Sequence, residues 1–371
     1  MSEPIRLLVD PDHSDGAAVT FDAVEHQVGL AAESIDIFMF VWRNDEIGNQ
    51  LGQAVLAAAD RGISVKVIKD RAAIMYERIE MNRKSFFHTP LSGFTRWKYK
   101  IIGRTFPDTF VEDDFGRELG DRVSNHPNIE IEWVNHTHTK YYVFDERLMI
   151  TGSINIEDRH RGYRDYMFEV VGEDHITRFR ERNAGEVPYD PDRQIDFLLN
   201  RIMPDRKEFE IKPRMVELLD GARQSVYIEM AYIGDPDISR AIVRAANRGV
   251  DVTMLFSREA NIGDDINWRS LHRICRRAPV QVVITDKMIH SKLMLVDDET
   301  VIAGSANFSV FSMQKAVELD LVIQGFPGFV EDVRQEAQRR IDDSQRIESP
   351  GGLKKYNRVL ASLQQIHQWL T

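Results

Sequence analysis

Two short segments share one pattern of residues suited to chemistry. Residues 138–145 read HTKYYVFD and residues 290–297 read HSKLMLVD, so each has the form His-x-Lys-x-x-x-x-Asp. A neutral imidazole can attack the phosphorus of a phosphodiester and form a phosphohistidine. A second, protonated imidazole can donate to the leaving alkoxide and later deprotonate the incoming alcohol or water. The two segments therefore predict phosphodiester chemistry at a site with two histidines, and this chemistry needs no metal.

Each segment is followed by two further polar signals at matched spacing. Residues 152–155 read GSIN and residues 304–307 read GSAN. Asp165 lies 27 residues after the first histidine, and Glu318 lies 28 residues after the second. Lysine and asparagine side chains can hold the non-bridging phosphate oxygens, and an acid that hydrogen-bonds an imidazole fixes its tautomer. We expect these groups to complete one site.

Ten residues form the candidate catalytic set. They are His138, Lys140, Asp145, Asn155, Asp165, His290, Lys292, Asp297, Asn307 and Glu318. Within the set, the two aspartates that end the motifs are expected to hold the ends of their strands through ion pairs or backbone bonds. A single His-x-Lys pair is usually an ordinary surface pair, whereas two copies with matched asparagines and acids indicate a site. His136 and His138 could suggest a metal site, but no carboxylate–histidine ligand set surrounds them, so we expect no metal and no cofactor.

The elements that position these residues occur twice. Residues 34–68 have the pattern of a strand, a helix that ends at an Arg-Gly step, and a second strand; residues 225–255 repeat that order. Glycine at this point accepts the left-handed conformation that ends a helix. The repeat predicts two α/β domains with mainly parallel strands. On a strand, residues two apart point to the same face, so the histidine and lysine of each motif should project together.

The two copies differ in length, which predicts an insertion. From the Arg-Gly step to the motif histidine is 77 residues in the first copy and 42 in the second. We place the insertion within about residues 71–125. The boundary between copies is expected in a proline-containing polar stretch, which gives an N-terminal domain over 1–195 and a C-terminal domain with a terminal helix over 196–371.

These residues resemble the phospholipase D superfamily, whose members carry two such motifs, and are most similar to its cardiolipin synthase branch. The resemblance covers about residues 7–342 outside the insertion. It is carried by NDEIG at 44–48, AAADRG at 57–62, GSINIED at 152–158, YRD at 163–165, AANRGVD at 245–251 and MIH at 288–290. The resemblance implies two pseudo-repeated α/β/α sandwich domains with one active site at their interface. It also implies a phosphatidyl-enzyme on His138 with His290 as general acid and base, an order that the repeat leaves reversible.

The second copy departs from the synthase pattern. Synthases usually show Asp, Arg and Asn where this chain has Ser309, Phe311 and Ala316, and the Phe308-Ser309 pair is more similar to other phospholipase and nuclease members. The first hypothesis is a phosphatidyltransferase acting on a phosphatidylglycerol-like lipid. The alternatives are a phospholipase D hydrolase that releases phosphatidic acid, a metal-independent nuclease, and a lipid-binding scaffold without activity.

Composition constrains the setting of this chemistry. The formal net charge of −11 argues against nucleic acid as the partner, because duplex binding relies on basic side chains. No apolar run approaches the ~20 residues that span a bilayer, and the first residues do not have the pattern of a signal peptide. The single cysteine, Cys275, excludes a disulfide framework. A cytoplasmic monomer associated peripherally with the membrane is expected.

Two segments are candidates for the membrane contact. Residues 71–104 contain eight Lys/Arg against two acids, together with six aromatic residues, which predicts a lipid-facing lid. The alternatives are a basic excursion packed on the acidic residues 112–114, or a surface for single-stranded nucleic acid. Residues 353–370 place apolar side chains on one helical face. We expect this terminal helix to dock on its own core, with an interfacial membrane helix as the alternative.

Overall fold

A computed structural model describes residues 3–10, 16–71, 73, 77, 85–87, 93, 116–261 and 263–370. The first half, through residue 184, contains β1 (Ile5–Leu8), α1 (Ala17–Leu30), β2 (Ser34–Met39), α2 (Glu46–Asp60), β3 (Ser64–Asp70), α3 (Glu118–Ser124), β4 (Ile129–Val134), β5 (Tyr141–Phe144), β6 (Leu148–Gly152), a 3-10 turn (Asp158–Gly162), β7 (Tyr163–Arg164), β8 (Met167–Val171) and α4 (Glu173–Ala184).

The second half contains β9 (Ile195–Ile202), β10 (Lys207–Phe209), α5 (Ile211–Gly221), β11 (Ser225–Met230), α6 (Pro236–Asn247), β12 (Asp251–Ser257), α7 (Asp264–Cys275), β13 (Gln281–Thr285), β14 (Met288–Ile289), β15 (Lys292–Val296), β16 (Thr300–Gly304), α8 (Val310–Gln314), β17 (Glu318–Gln324), α9 (Pro327–Asp342), β18 (Gln345–Ile347), a 3-10 turn (Pro350–Gly352) and α10 (Arg358–Leu370).

Each half builds one large mixed sheet. Within the described ranges the first has the strand order β1-β8-β6-β5-β2-β3-β4, and the second has the order β10-β9-β17-β16-β15-β11-β12-β13-β18. A small parallel pair, β7 with β14, joins the two halves. The predicted α/β fold with two related halves is confirmed, while the division into domains at residue 195 stays a prediction.

The repeated strand–helix–strand unit is present in both halves. Strands β2 and β3 pair in parallel, as do β11 and β12, and the glycines after the two helices, Gly62 and Gly249, both have φ +93°. Aspartates begin both helices: Asp45 accepts from the Gly48 amide, and Asp235 accepts from two amides of its first turn. A side-chain oxygen at this position satisfies amides that have no partner within the helix.

The prediction of mainly parallel strands is wrong. In the two large sheets, parallel pairing among the described strands is confined to β2-β3-β4 and β11-β12-β13. Each motif strand instead pairs antiparallel with the strand that follows it, β5 with β6 and β15 with β16. Only three residues separate these strands, and a connection that short permits antiparallel pairing alone.

The two sheets share a buried apolar layer. Side chains from β5 and β8 of the first half and from β15 and β17 of the second belong to one buried cluster. Residues of α4 and α9, including Phe179 and Phe329, lie in the same cluster, so these helices contribute to the layer between the sheets. Burial of this apolar area stabilises the two halves as one body and fixes the position of one motif relative to the other.

The described part of the insertion corrects one expectation. The predicted lipid-facing lid over 71–104 includes Phe86 and Phe87 among its six aromatic residues, but both are buried in the core of the first half. Phe86 stacks on Trp42 with ring centroids 5.1 Å apart, so packing inside the protein satisfies these rings. Most of residues 71–104, and the acidic residues 112–114, lie outside the described residues. The predicted membrane contact there stays a prediction.

The terminal helix also differs from expectation. Leu353 is buried and α10 packs on α7, but Leu360, Leu363 and Ile366, which were expected to dock on the core, are exposed. The helix docks through another face, on which Ala361 is buried. Among the described helices, none is both long enough and apolar enough to cross a membrane.

Candidate active site

Both motif histidines lie in the segments that lead into their strands, rather than on the strands. Strand β5 begins three residues after His138, and β15 begins two residues after His290. Each histidine is held by a backbone bond to the other half. The His138 amide donates to the Val317 carbonyl at 2.8 Å, and the His290 amide donates to the Arg164 carbonyl at 3.0 Å. Each carbonyl belongs to the residue immediately before an acid of the candidate set.

The same contacts bring the acids to the histidines in a crossed arrangement. Nδ1 of His138 lies 3.2 Å from Oε2 of Glu318, and Nδ1 of His290 lies 2.9 Å from Oδ2 of Asp165. Spacing along the chain groups each acid with the histidine of its own half, but the structure pairs it with the other. An imidazole that donates from Nδ1 keeps its lone pair on Nε2, where it can act as nucleophile or base.

A serine holds each acid from within its own half. Oγ of Ser305 donates to Glu318 at 2.5 Å, and Oγ of Ser153 donates to Asp165. The Ser305 carbonyl also lies 3.1 Å from Nδ1 of His138. These serines are the second residues of the two Gly-Ser-x-Asn segments, so the repeat already contained the signal for them. Their hydroxyls fix the carboxylates that orient the imidazoles.

His160 is a further site residue that the sequence did not indicate. Its ring is buried and lies edge-on to His290, with centroids 4.7 Å apart. Nδ1 of His160 is 3.3 Å from Asp165, and Nε2 is 3.2 Å from Glu157, which forms a buried ion pair with Arg43 at 2.5 Å. The corresponding position of the second copy, five residues after its asparagine, is a serine, so comparison of the copies gave no signal.

Three of these side chains lie close enough to hold a metal ion. Ligand atoms of His160, Asp165 and His290 are all within 4.8 Å of one another. The contacts of this cluster do not require an ion, because Nδ1 of His290 hydrogen-bonds the Asp165 carboxylate at 2.9 Å and Nδ1 of His160 lies 3.3 Å from it. The expectation of metal-independent chemistry stays a prediction.

The two motif lysines are buried beside the histidines. Nζ of Lys140 donates to the His138 carbonyl at 2.5 Å, and Nζ of Lys292 donates to the His290 carbonyl. Burial and the charge of Lys292 lower the pKa of Lys140 to about 7, and burial lowers the pKa of Lys292 to about 8. The lysines of the two halves therefore lie close enough for the charge of one to affect the other. An anionic phosphate bound between them would stabilise the charged form of each.

The surroundings of the two motif histidines favour their neutral forms, whereas those of Asp165 favour its charged form. Burial and Lys140 lower the pKa of His138, while burial and Lys292 hold the pKa of His290 well below its ordinary value. Burial alone would raise the pKa of Asp165, but hydrogen bonds from His160 and His290 hold it well below its ordinary value. At neutral pH the site therefore combines neutral imidazoles with a charged carboxylate that orients one of them.

The two candidate asparagines are both buried. Oδ1 of Asn155 accepts from the Val41 amide at 3.3 Å, and Nδ2 lies 3.4 Å from Nε2 of His160, which brings this residue to the Asp165 cluster. Oδ1 of Asn307 is buried and accepts no hydrogen bond from the described residues. Both amides thus lie in the protein interior, and their role toward phosphate oxygens stays a prediction.

The two motif aspartates anchor turns and do not contact the histidines. Asp145 accepts hydrogen bonds from the backbone amides of residues 32–34, and Asp297 from those of residues 223–225. Both residues have positive φ, 50° and 54°, a conformation that aspartate tolerates better than most residues. These bonds agree with the expected anchoring role, and a catalytic part for either residue stays a prediction.

A buried arginine ties the halves together behind the acids. Arg340 of α9 forms ion pairs with Glu229 and with Glu336, the latter at 2.7 Å. Its guanidinium lies 4.4 Å from the centroid of the Tyr166 ring, and Nη2 is 3.4 Å from the Asp165 carbonyl. A second-half side chain thus fixes the backbone of the first-half acid, which preserves the crossed pairing.

Comparison with known proteins identifies the family. The family model described as "Cardiolipin synthase, PLD-like domain" matches residues 24–182 and 215–341, which is more than half of the chain. Cardiolipin synthase B of Escherichia coli K12 is 24% identical over 329 residues, covering 82% of this chain and 73% of that protein. A cardiolipin synthase of Listeria welshimeri is 23% identical over 339 residues, and the match spans 82% of this chain but 63% of that relative's length.

Solved structures show the same fold. Phosphatidylserine synthase of Haemophilus influenzae Rd KW20 superposes with a TM-score of 0.69 at 12% identity, covering 100% of this chain and 94% of that one. Polyphosphate kinase of Porphyromonas gingivalis gives a TM-score of 0.56 at 15% identity, covering 95% and 52%. The chain therefore belongs to the phospholipase D superfamily, within its cardiolipin synthase branch, and is an enzyme of the phosphodiesterase and phosphatidyltransferase type.

Proposed function

We propose that the protein is a phosphatidyltransferase of cardiolipin synthase type, which moves a phosphatidyl group from one phospholipid to a hydroxyl of another. The observation that carries the proposal is the crossed pairing, in which each histidine has an acid of the other half on Nδ1. This pairing leaves both Nε2 atoms for one phosphodiester. The names of the bacterial relatives support a phospholipid substrate, and we expect a phosphatidylglycerol-like donor.

In the first step, Nε2 of His138 attacks phosphorus, and the bond between phosphorus and the alkoxide oxygen of the leaving glycerol breaks. Protonated His290 gives its Nε2 proton to that oxygen, so the glycerol leaves as a neutral alcohol. The low pKa of His290 makes its protonated form a strong acid. A bound phosphodiester anion offsets the charge of Lys292 and favours protonation of His290 when substrate is present.

In the second step, neutral His290 takes the proton of the acceptor hydroxyl as its oxygen attacks phosphorus. The phosphorus–nitrogen bond then breaks and returns neutral His138. Lys140 and Lys292 balance the charge on the non-bridging oxygens in both steps. The order of the two histidines follows the family resemblance, and the repeat leaves it reversible.

We also propose that the protein works as a monomer in peripheral contact with a membrane. Both histidines and both acids of the site come from one chain, so the chemistry needs no second copy. A phospholipid donor resides in a bilayer, so the enzyme must reach the bilayer surface to bind it.

The test is to incubate the purified protein with phosphatidylglycerol vesicles and to identify the lipid products by mass spectrometry. Cardiolipin and free glycerol are expected from the wild type, and neither from His138→Ala. The matched control is His26→Ala, which removes an exposed imidazole on α1 and should retain full activity. EDTA should leave the rate unchanged.

Each other outcome supports a different enzyme. Phosphatidic acid without cardiolipin would replace the proposal with a hydrolase that uses water as acceptor. Cleavage of a labelled oligonucleotide in EDTA, with no lipid product, would support a nuclease. Vesicle binding that survives loss of both histidines, with no turnover by the wild type, would support a scaffold.

A further inference from the structure

The terminal helix presents an apolar face to solvent. Large exposed apolar side chains are few in the described chain, and most of them lie on α10. They are Val359 (68% exposed), Leu360 (46%), Leu363 (56%) and Ile366 (52%). These positions follow the i, i+1, i+4, i+7 spacing of one helical face. Single exposed apolar residues need no explanation, but a contiguous group marks a contact surface.

The opposite face of the helix is the one that packs on the protein. Ala361 is fully buried, and Oε1 of Gln365 accepts a hydrogen bond from Nη2 of Arg269 on α7 at 2.6 Å. The segment before the helix is also fixed, because the Asn357 amide donates to Asp265 at 2.6 Å. The helix is therefore held on α7 by a small and a polar side chain, and its apolar face points away.

A basic cleft opens beside this helix. A cavity of about 470 Å³ lies between α6, α7 and α10, and Gln365 forms part of its wall. Four arginines line it: Arg240, Arg269, Arg273 and Arg277. Arg240 pairs with Asp237, whereas the other three have no carboxylate partner among the residues that the structure describes.

The most buried of these arginines is only partly satisfied. Arg269 is 7% exposed, and its Nε has no hydrogen-bond partner in the described part of the chain. Burial and the charge of Arg273 lower the pKa of Arg269. In a chain of net charge −11, such a cluster is complementary to an anion, and guanidinium groups match phosphate oxygens in geometry.

We propose that α10 and the arginine-lined cleft form one docking surface for a bilayer of anionic phospholipids, with a headgroup phosphate in the cleft. The choice of lipid rests on the proposed function, whose substrate is an anionic phospholipid. An interfacial helix sinks its apolar face ~5–10 Å into the boundary between headgroups and acyl chains. Because a helix is ~10 Å wide, headgroup phosphates then lie level with the cleft on its other side. Exposed Lys355 and Arg358 add positive charge at the same end.

Vesicle flotation of the full chain tests the surface without requiring turnover. The wild type should float with vesicles of phosphatidylglycerol and phosphatidylcholine, and little with phosphatidylcholine alone. The double variant Leu360→Gln/Leu363→Gln should lose about tenfold in bound fraction on the anionic vesicles and should also lose the small bound fraction on phosphatidylcholine alone. Arg273→Gln/Arg277→Gln should lose about tenfold on the anionic vesicles only. The matched control is Leu30→Gln, which removes an apolar side chain on α1 that is 62% exposed. This variant should bind like the wild type.

Two outcomes would overturn the proposal. One is unchanged vesicle binding in both double variants when circular dichroism shows native folding. The other is a wild type that does not float but forms a dimer that Leu360→Gln/Leu363→Gln converts to monomer, which would make the face a protein interface. The proposed function fails separately: His138→Ala should float normally while losing turnover, and a wild type that floats without forming lipid products would contradict the catalytic proposal alone.

Discussion

The two halves supply matching parts to the site, but they surround them differently. Asp165 of the first half is held by Ser153 and by a second imidazole, His160, whereas Glu318 of the second half is held by Ser305. The segment after the asparagine is a 3-10 turn in the first half and the short helix α8 in the second. A duplicated scaffold therefore fixes where the candidate reacting groups lie, and the divergent segment places an additional imidazole beside the acid of only one histidine.

The largest difference between halves should appear when the acids are neutralised. Asp165→Asn unpairs both His290 and His160, while Glu318→Gln unpairs His138 alone. We expect each amide to lower kcat by about a hundredfold or more, because the imidazole loses the partner that fixes its tautomer. The loss should be greater for Asp165→Asn. Steady-state kinetics of both variants checks this expectation. Equal losses would mean that contact with His160 adds nothing to the effect of Asp165 on kcat.

The lowered pKa values of the motif lysines predict where activity falls on the alkaline side of the pH profile. A lysine is charged below its pKa and neutral above it, so kcat/KM for an anionic lipid should fall as pH rises through about 7 to 8. Lys140→Arg keeps its charge over this range and should move the fall to higher pH. Lys207→Arg, on the edge strand β10, is the control. A pH profile that is unchanged by Lys140→Arg would contradict the assignment of the alkaline fall in kcat/KM to deprotonation of Lys140.

The role of His160 should be visible as a smaller effect. His160→Gln keeps a polar side chain beside Asp165 but removes the imidazole that bonds it, so we expect kcat to fall about tenfold. The Asp165 carboxylate then depends on His290 and Ser153 alone, which should raise the pKa of His290 and shift the pH profile to higher pH. Ser312→Ala, at the corresponding position of the second half, is the comparison. A rate loss without a shift would indicate a purely structural role.

Removal of the motif aspartates should have nearly the same effect on stability and activity in the two halves. Asp145→Ala and Asp297→Ala each remove a carboxylate that accepts several backbone amides, at a cost of about 2–3 kcal/mol in the free energy of unfolding. Activity per folded molecule should change little, because neither carboxylate contacts a histidine. Urea titration with parallel assays separates the two effects, and a native-like variant without activity would place these residues in the catalytic set.

Much of the site could be predicted from the sequence because the chain contains it twice. The matched spacing indicated Asp165 and Glu318 as partners of histidines, and both do hydrogen-bond a histidine. That they exchange partners follows from packing between the halves, which spacing along a chain does not encode. His160 had no counterpart in the second copy, so the comparison that revealed the other residues could not reveal it.

The errors about the fold have local causes. The three-residue connection that begins at Asp145 already required antiparallel pairing, but the strand–helix–strand repeat suggested parallel sheets. The apolar spacing of the terminal helix predicted the helix correctly and its docked face wrongly. Periodicity shows that apolar residues share a face, and it does not show whether that face meets the protein or another surface.

The most direct test of the paired-histidine account uses a phosphatidyl ester of p-nitrophenol, whose leaving group needs no proton. His290→Ala should then release one equivalent of nitrophenolate per enzyme in a burst and accumulate a chain heavier by one phosphatidyl group on His138, detected by mass spectrometry at neutral pH. His138→Ala should give neither burst nor adduct. A burst from His138→Ala but not from His290→Ala would reverse the roles. Turnover by the wild type, with no adduct in either variant, would contradict the covalent mechanism.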